Sequence, residues 1–135
     1  MPRVLVVEDS VSMRAFVRGA LEGDDPKLGE IDVVEASSGF DALRLLPRGP
    51  YDLVITDINM PDINGLELVQ FIRQSERHRS IPIVLISTRS SERDRDRGLT
   101  LGANAYLSKP FTPEMLREEA ARQLAAAPPR TEPND

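Results

Sequence analysis

Four side chains in this sequence have the type and placement for chemistry. Asp57 ends the apolar run Leu53, Val54, Ile55, Thr56; Glu8 and Asp9 end another, Val4, Leu5, Val6, Val7; Lys109 ends a third, Ala105, Tyr106, Leu107, Ser108. A carboxylate at the mouth of a buried strand is placed to react or to ligate rather than to pack. Side by side, the three acids would repel one another: a like-charge pair at about 4 Å costs roughly 4 kcal/mol at an effective dielectric of 20. A hard divalent cation relieves that repulsion, and an all-oxygen donor set with one or two carboxylates favours Mg²⁺. Lys109 would then stand at the rim, its ammonium able to pair with Asp57 or with a phosphoryl oxygen, and Pro110 biases it toward extended geometry.

Each of these residues also has a plainer use. Asp9 could cap the helix that follows it at once. Asp57 suits that role poorly, because a loop containing Pro61 separates it from the next helix. A lysine at a strand end is more often solvated than engaged. Ser87 and Thr88, after Ile83, Val84, Leu85 and Ile86, could cap a loop or donate to a phosphoryl group.

The elements that must position these groups alternate along the chain. Strands are expected at 4–7, 31–36, 53–55, 83–86 and 105–107. Met13, Phe16, Val17, Ala20 and Leu21 share one helical face after the first strand. Ala42, Leu43 and Leu46 mark a short second helix, and Leu68, Val69 and Ile72 a third after Gly65. The fourth helix, capped by Ser90 or Ser91, is polar throughout Arg93, Asp94, Arg95, Asp96, Arg97 and carries Gly98, which costs about 1 kcal/mol against alanine. Thr112 and Pro113 open the fifth as N-cap and first helical residue. Continuous apolar strands alternating with helices predict a parallel sheet covered on both faces, with its site beyond the carboxyl ends of the strands.

A chain of 135 residues, 40% hydrophobic and 29% charged, fits one globular domain. It has no cysteine, so neither disulfides nor a thiolate metal site is possible. Its longest apolar runs are four residues, against about 20 for a membrane span. A strand begins almost at the N-terminus, which reads against a signal peptide, so the cytoplasm is the expected compartment. The net charge of -5 argues against nucleic-acid binding. Fifteen of the seventeen basic residues are arginine, which leaves Lys109 one of two lysines. His78, between Arg77 and Arg79, reads as a solvated residue, Phe111 as a packing residue, and Pro110 as a candidate for a cis peptide bond.

Glu8 with Asp9, Asp57 with Met60, Pro61 and Gly65, Ser87, and Lys109 with Pro110 and Phe111 together resemble the receiver domain of bacterial two-component response regulators. Ser10 with Met13 and Arg14, and Gly102 with Ala103 leading to Tyr106, resemble its chemotaxis branch, the CheY type. The resemblance implies a flavodoxin-like (βα)5 α/β fold, a doubly wound five-stranded parallel sheet in the order 2-1-3-4-5. It implies a receiver domain over residues 1–126; the tail over 127–135, proline-rich and polar, is expected to be flexible on composition alone. Asp57 would be the phosphoacceptor. Asp9, Asp57 and the backbone carbonyl of Asn59 would bind Mg²⁺, with Glu8 holding a metal-bound water. Lys109 would contact the phosphoryl group, Ser87 would move to hydrogen-bond it, and Tyr106, which could equally be plain core, would change rotamer with it.

On the same resemblance the phosphodonor is a histidine kinase. The output is a protein partner on the face formed by the fourth helix, fifth strand and fifth helix. This length fits no effector domain, so the expectation is a stand-alone monomer that catalyses only its own phosphorylation and dephosphorylation. Three departures stand out: a longer connection over residues 23–30; Arg89, two past Ser87, at a position that tunes dephosphorylation in the family; and the Arg-Asp alternation of residues 93–97 with Gly98, which sets the output face apart from the usual one. The alternative is a phosphorylation-independent pseudo-receiver, which would usually lack an acid, the hydroxyl or the lysine. A haloacid-dehalogenase-like hydrolase would need an acid where Asn59 stands. A flavodoxin-like cofactor binder would need a Ser/Thr/Gly-rich phosphate loop after the first strand.

Overall fold

The computed structural model describes residues 1–23, 26–88 and 92–126. Five parallel strands, β1 (Arg3–Val7), β2 (Asp32–Ala36), β3 (Leu53–Asp57), β4 (Ile83–Ser87) and β5 (Ala105–Ser108), form one sheet in the order β2-β1-β3-β4-β5. The helices are α1 (Val11–Glu22), α2 (Gly39–Leu45), α3 (Gly65–Gln74), α4 (Glu92–Leu101) and α5 (Pro113–Ala126), with a 3-10 turn, Leu46–Arg48, extending α2. This is the doubly wound α/β fold that the resemblance implies.

The strands read as unbroken apolar runs because both faces of the sheet are covered. Leu5, Val7, Val54, Ile83 and Leu85 point to the side of α2 and α3, and Val4, Val6, Ile55, Val84 and Ile86 to the side of α1 and α5. Every residue of β3 and β4 is buried. Register places Val7 beside Thr56 and Asp57 beside Ile86. The carboxyl ends of β1, β3 and β4 therefore emerge at one rim, and their polar residues with them.

Helix starts follow local chemistry. Ser10 Oγ accepts the Met13 N–H at 3.2 Å, Ser38 Oγ the Asp41 N–H at 3.0 Å and Thr112 Oγ1 the Met115 N–H at 3.1 Å. Asn64 and Glu67 form a capping box on α3. Each cap is worth about 1 kcal/mol. The Lys109–Pro110 bond is cis, as is Gly49–Pro50.

Three expectations change. The buried stripe of α1 is Val17, Ala20 and Leu21, whereas Phe16 is 37% exposed and sits edge-on to Phe111 with centroids 5.8 Å apart. His78 is not solvated: it is 7% exposed. The chain doubles back after α3, with the His78 N–H on the Ser75 carbonyl at 3.2 Å and the Ile81 N–H on the His78 carbonyl at 3.1 Å. Arg73 pins the same turn through the Arg79 and Ile81 carbonyls at 2.9 and 2.7 Å. Burial first, and the nearby Arg77 charge second, hold the His78 pKa below its ordinary value. Gly98, finally, is the one buried residue of α4, and a Cβ there would run into Leu85 Cδ1, so glycine lets this helix approach the sheet. Arg89, the proposed caps Ser90 and Ser91, part of the 23–30 connection and the tail from 127 lie outside the described residues.

Candidate functional site

β1 delivers Glu8, fully buried, and Asp9, exposed; β3 ends on Asp57, which is buried. One carboxylate oxygen from each of Glu8, Asp9 and Asp57 lies within 4.8 Å of the others. The cis peptide of Pro110 follows Lys109, whose Nζ reaches Glu8 Oε2 at 3.1 Å and Asp57 Oδ2 at 3.4 Å. The Lys109 N–H donates to the Ser87 carbonyl at 2.6 Å, anchoring the β5 exit to the β4 exit. The four groups that the sequence singled out are therefore brought together.

Glu8 is held from several directions. Its Oε1 accepts the Ser10 N–H at 3.1 Å, and its backbone carbonyl accepts Arg14 Nη1 at 2.8 Å. Burial pushes its pKa up and the Asp57 charge adds to this, while the Ser10 N–H and Lys109 pull it back. A second cation beside it would act as Lys109 does. The donor set is all oxygen and converges on one point, so these residues fit a hard divalent ion such as Mg²⁺.

Asp57 Oδ1 accepts the Asn59 N–H at 3.3 Å, which folds the loop after β3 back over the carboxylate. Gly65 completes that fold: its N–H donates to the Ile58 carbonyl at 2.9 Å, and a Cβ would collide with the Asp57 carbonyl oxygen. Ser87 lies one residue beyond the partner of Asp57 on β4, and Asn59 Nδ2 approaches its Oγ at 3.4 Å. Tyr106 is further back on β5, opposite Leu85, half-buried against the core beneath α2 and α3. Glu35, at the end of β2, does not join the acids; Arg14 and Arg18 hold it.

Sequence reading missed the side-chain roles of Asn59 and Asp62. Asp62 Oδ1 accepts the Gly39 N–H at 3.2 Å and Oδ2 the Phe40 N–H at 3.0 Å, across the gap to α2. No periodic or local motif announces a contact between segments that far apart in the chain.

The fold and the acid cluster define a class. A family profile described as the response regulator receiver domain matches residues 4–121, and the chain belongs to that family. It is 38% identical over 118 residues to the chemotaxis protein CheY homolog of Campylobacter jejuni, covering 87% of this chain and 88% of that protein. It is 39% identical over 118 residues to the chemotaxis protein CheY1 of Helicobacter pylori, covering 87% and 92%. The structure of the chemotaxis response regulator CheY4 of Vibrio cholerae matches with a TM-score of 0.81 at 33% identity, covering 91% of this chain and 98% of that one. Among the described residues no helix is long and apolar enough to cross a membrane.

Proposed function

We propose that Asp57 accepts a phosphoryl group from a phosphohistidine of a histidine kinase, and that the change in charge switches binding of a protein partner. The observation that carries this reading is the convergence of Glu8, Asp9, Asp57 and Lys109 at one strand rim. In the transfer, an Asp57 carboxylate oxygen forms a bond to phosphorus as the P–N bond breaks; the imidazole leaves with that electron pair and takes a proton from solvent. Attack by water on phosphorus later returns the carboxylate and inorganic phosphate.

Asp9, Asp57 and the Asn59 carbonyl would hold Mg²⁺, with Glu8 holding a water on it. The ion would supply charge neutralisation at the transferring phosphoryl oxygens. Lys109 shares that charge from the other side, at the cost of loosening its hold on Glu8. Ser87 donates its hydroxyl to the new phosphoryl group, and Tyr106 follows it inward. The added charge biases a two-state element rather than bending the fold continuously.

The domain carrying this function spans residues 1–126 and works in the cytoplasm as a monomer. Its output face is α4, β5 and α5, where Leu99 and Met115 are exposed. The relatives named for chemotaxis favour a motility partner. Mg²⁺-dependent labelling by acetyl phosphate, read as an intact mass increase, tests the proposal. Asp57→Asn should abolish labelling and Asp9→Ala should raise the Mg²⁺ it requires. Labelling undiminished in Asp57→Asn would overturn the site, and no labelling of the native protein would favour a phosphorylation-independent binding module.

A further inference from the structure

The loop over residues 58–64 carries Asn59, and its two ends are fixed by the chain itself. Asn59 is bound to Asp57 at one end, and Asn64 caps α3 at the other. The tip is fixed by something else. Asp62 Oδ1 and Oδ2 accept the Gly39 and Phe40 N–H groups at 3.2 and 3.0 Å. Gly39 faces Ile63 so closely that a Cβ would overlap its carbonyl oxygen. The Phe40 N–H above all, with its neighbours, holds the Asp62 carboxyl below the usual carboxylate range. Asp62 is therefore ionised at neutral pH, and both bonds are charge-assisted.

The start of α2 has its own cap. Ser38 Oγ takes the Asp41 N–H, and the Ser38 carbonyl takes the Ala42 N–H. The two remaining amides of the first turn are thus bound by a residue of the loop that carries Asn59, which makes Asp62 a tether between that loop and α2.

We infer that Asp62 is a positioning residue for the cation: by tying the loop tip to α2 it sets the direction of the Asn59 carbonyl and couples α2 to occupancy of the acid cluster. The inference rests on the reading of Asp9, Asp57 and Asn59 as cation ligands. Linkage makes the coupling reciprocal, so the cation strengthens the contacts of Asp62 with α2 by the same factor.

Mg²⁺ titrations of the full chain, followed by backbone amide NMR, test it. Asp62→Ala should bind Mg²⁺ about tenfold more weakly, as for other residues that orient a ligand. Asp62→Asn, which keeps one acceptor oxygen, should fall between. Ser38→Ala, which loosens the start of α2 but leaves Asp62 and both of its bonds in place, should lower thermal stability while costing clearly less Mg²⁺ affinity than Asp62→Ala. Acetyl phosphate labelling of Asp62→Ala should regain the native rate at saturating Mg²⁺, and Mg²⁺ should slow amide exchange at Gly39 and Phe40 in the native protein. Unchanged affinity in Asp62→Ala, or an equal loss in Ser38→Ala, overturns the tether while leaving the cation site standing. Native protein that binds no Mg²⁺, or that binds it no better than Asp9→Asn, overturns the cation site and the tether together.

Discussion

The Lys109 ammonium lies 3.1 Å from Glu8 Oε2 across 101 residues of chain, with the two side chains only 9% and 1% exposed. Neither charge has much water to fall back on, so each depends on the other. Removing one partner of such a buried pair costs about 3–5 kcal/mol, because the remaining charge is left uncompensated. The pocket is thus stabilised by the lysine for as long as no other cation is present.

Lys109→Met should therefore lower the unfolding free energy by about 3 kcal/mol at neutral pH in a chelator. Mg²⁺ should return more stability to the variant than to the native protein, since it meets acids with no competing ammonium. Urea denaturation with and without Mg²⁺ checks both halves. An equal Mg²⁺ gain in the two proteins would show that lysine and metal do not share these acids.

The buried His78 makes stability sensitive to mild acid. Its folded pKa lies below the ordinary 6.5, so the unfolded chain takes up the proton first. Stability attributable to His78 is then complete above that value and is lost as pH falls through it toward the folded pKa. The melting temperature should drop faster in the native protein than in His78→Gln between about pH 7 and pH 5. Parallel curves would mean that the imidazole is protonated equally easily in both states.

Gly98 sets two effects against each other. Helix propensity alone predicts that Gly98→Ala gains about 1 kcal/mol. The clash of its Cβ with Leu85 predicts a loss, since overpacking costs about 1–3 kcal/mol. The clash should win or nearly cancel the gain, and in a Leu85→Val background, which lacks the opposing Cδ1 atom, the same substitution should stabilise. A double-mutant cycle by urea denaturation measures the difference; additivity of the two changes would remove the close approach as the reason for glycine here.

Much of the architecture was legible because parallel strands covered on both faces leave a simple trace. Ile83 to Ile86 reads as a buried strand, and Glu8, Asp57 and Lys109 were visible as polar residues where such runs stop. Register then did the rest, placing those ends at one rim. Contacts made by turns that double back were not legible. His78 sits in a polar string and is buried by the path of residues 75–81, with Arg73 as the clamp. Gly98 looked like a defect of its helix, and only the neighbouring Leu85 explains it. Asp62 reads as one more loop acid until α2 is seen beside it.

The pairing of Lys109 with Glu8 has a consequence for labelling chemistry. The chain has only two lysines, and Lys27 is exposed. Acylating reagents reach an exposed side chain such as Lys27 more readily than the buried Lys109 amine held between carboxylates. The Lys109 amine reacts last. Its rate of acylation is thus an intrinsic gauge of how far the pocket has opened, readable by mass alone and needing no added dye.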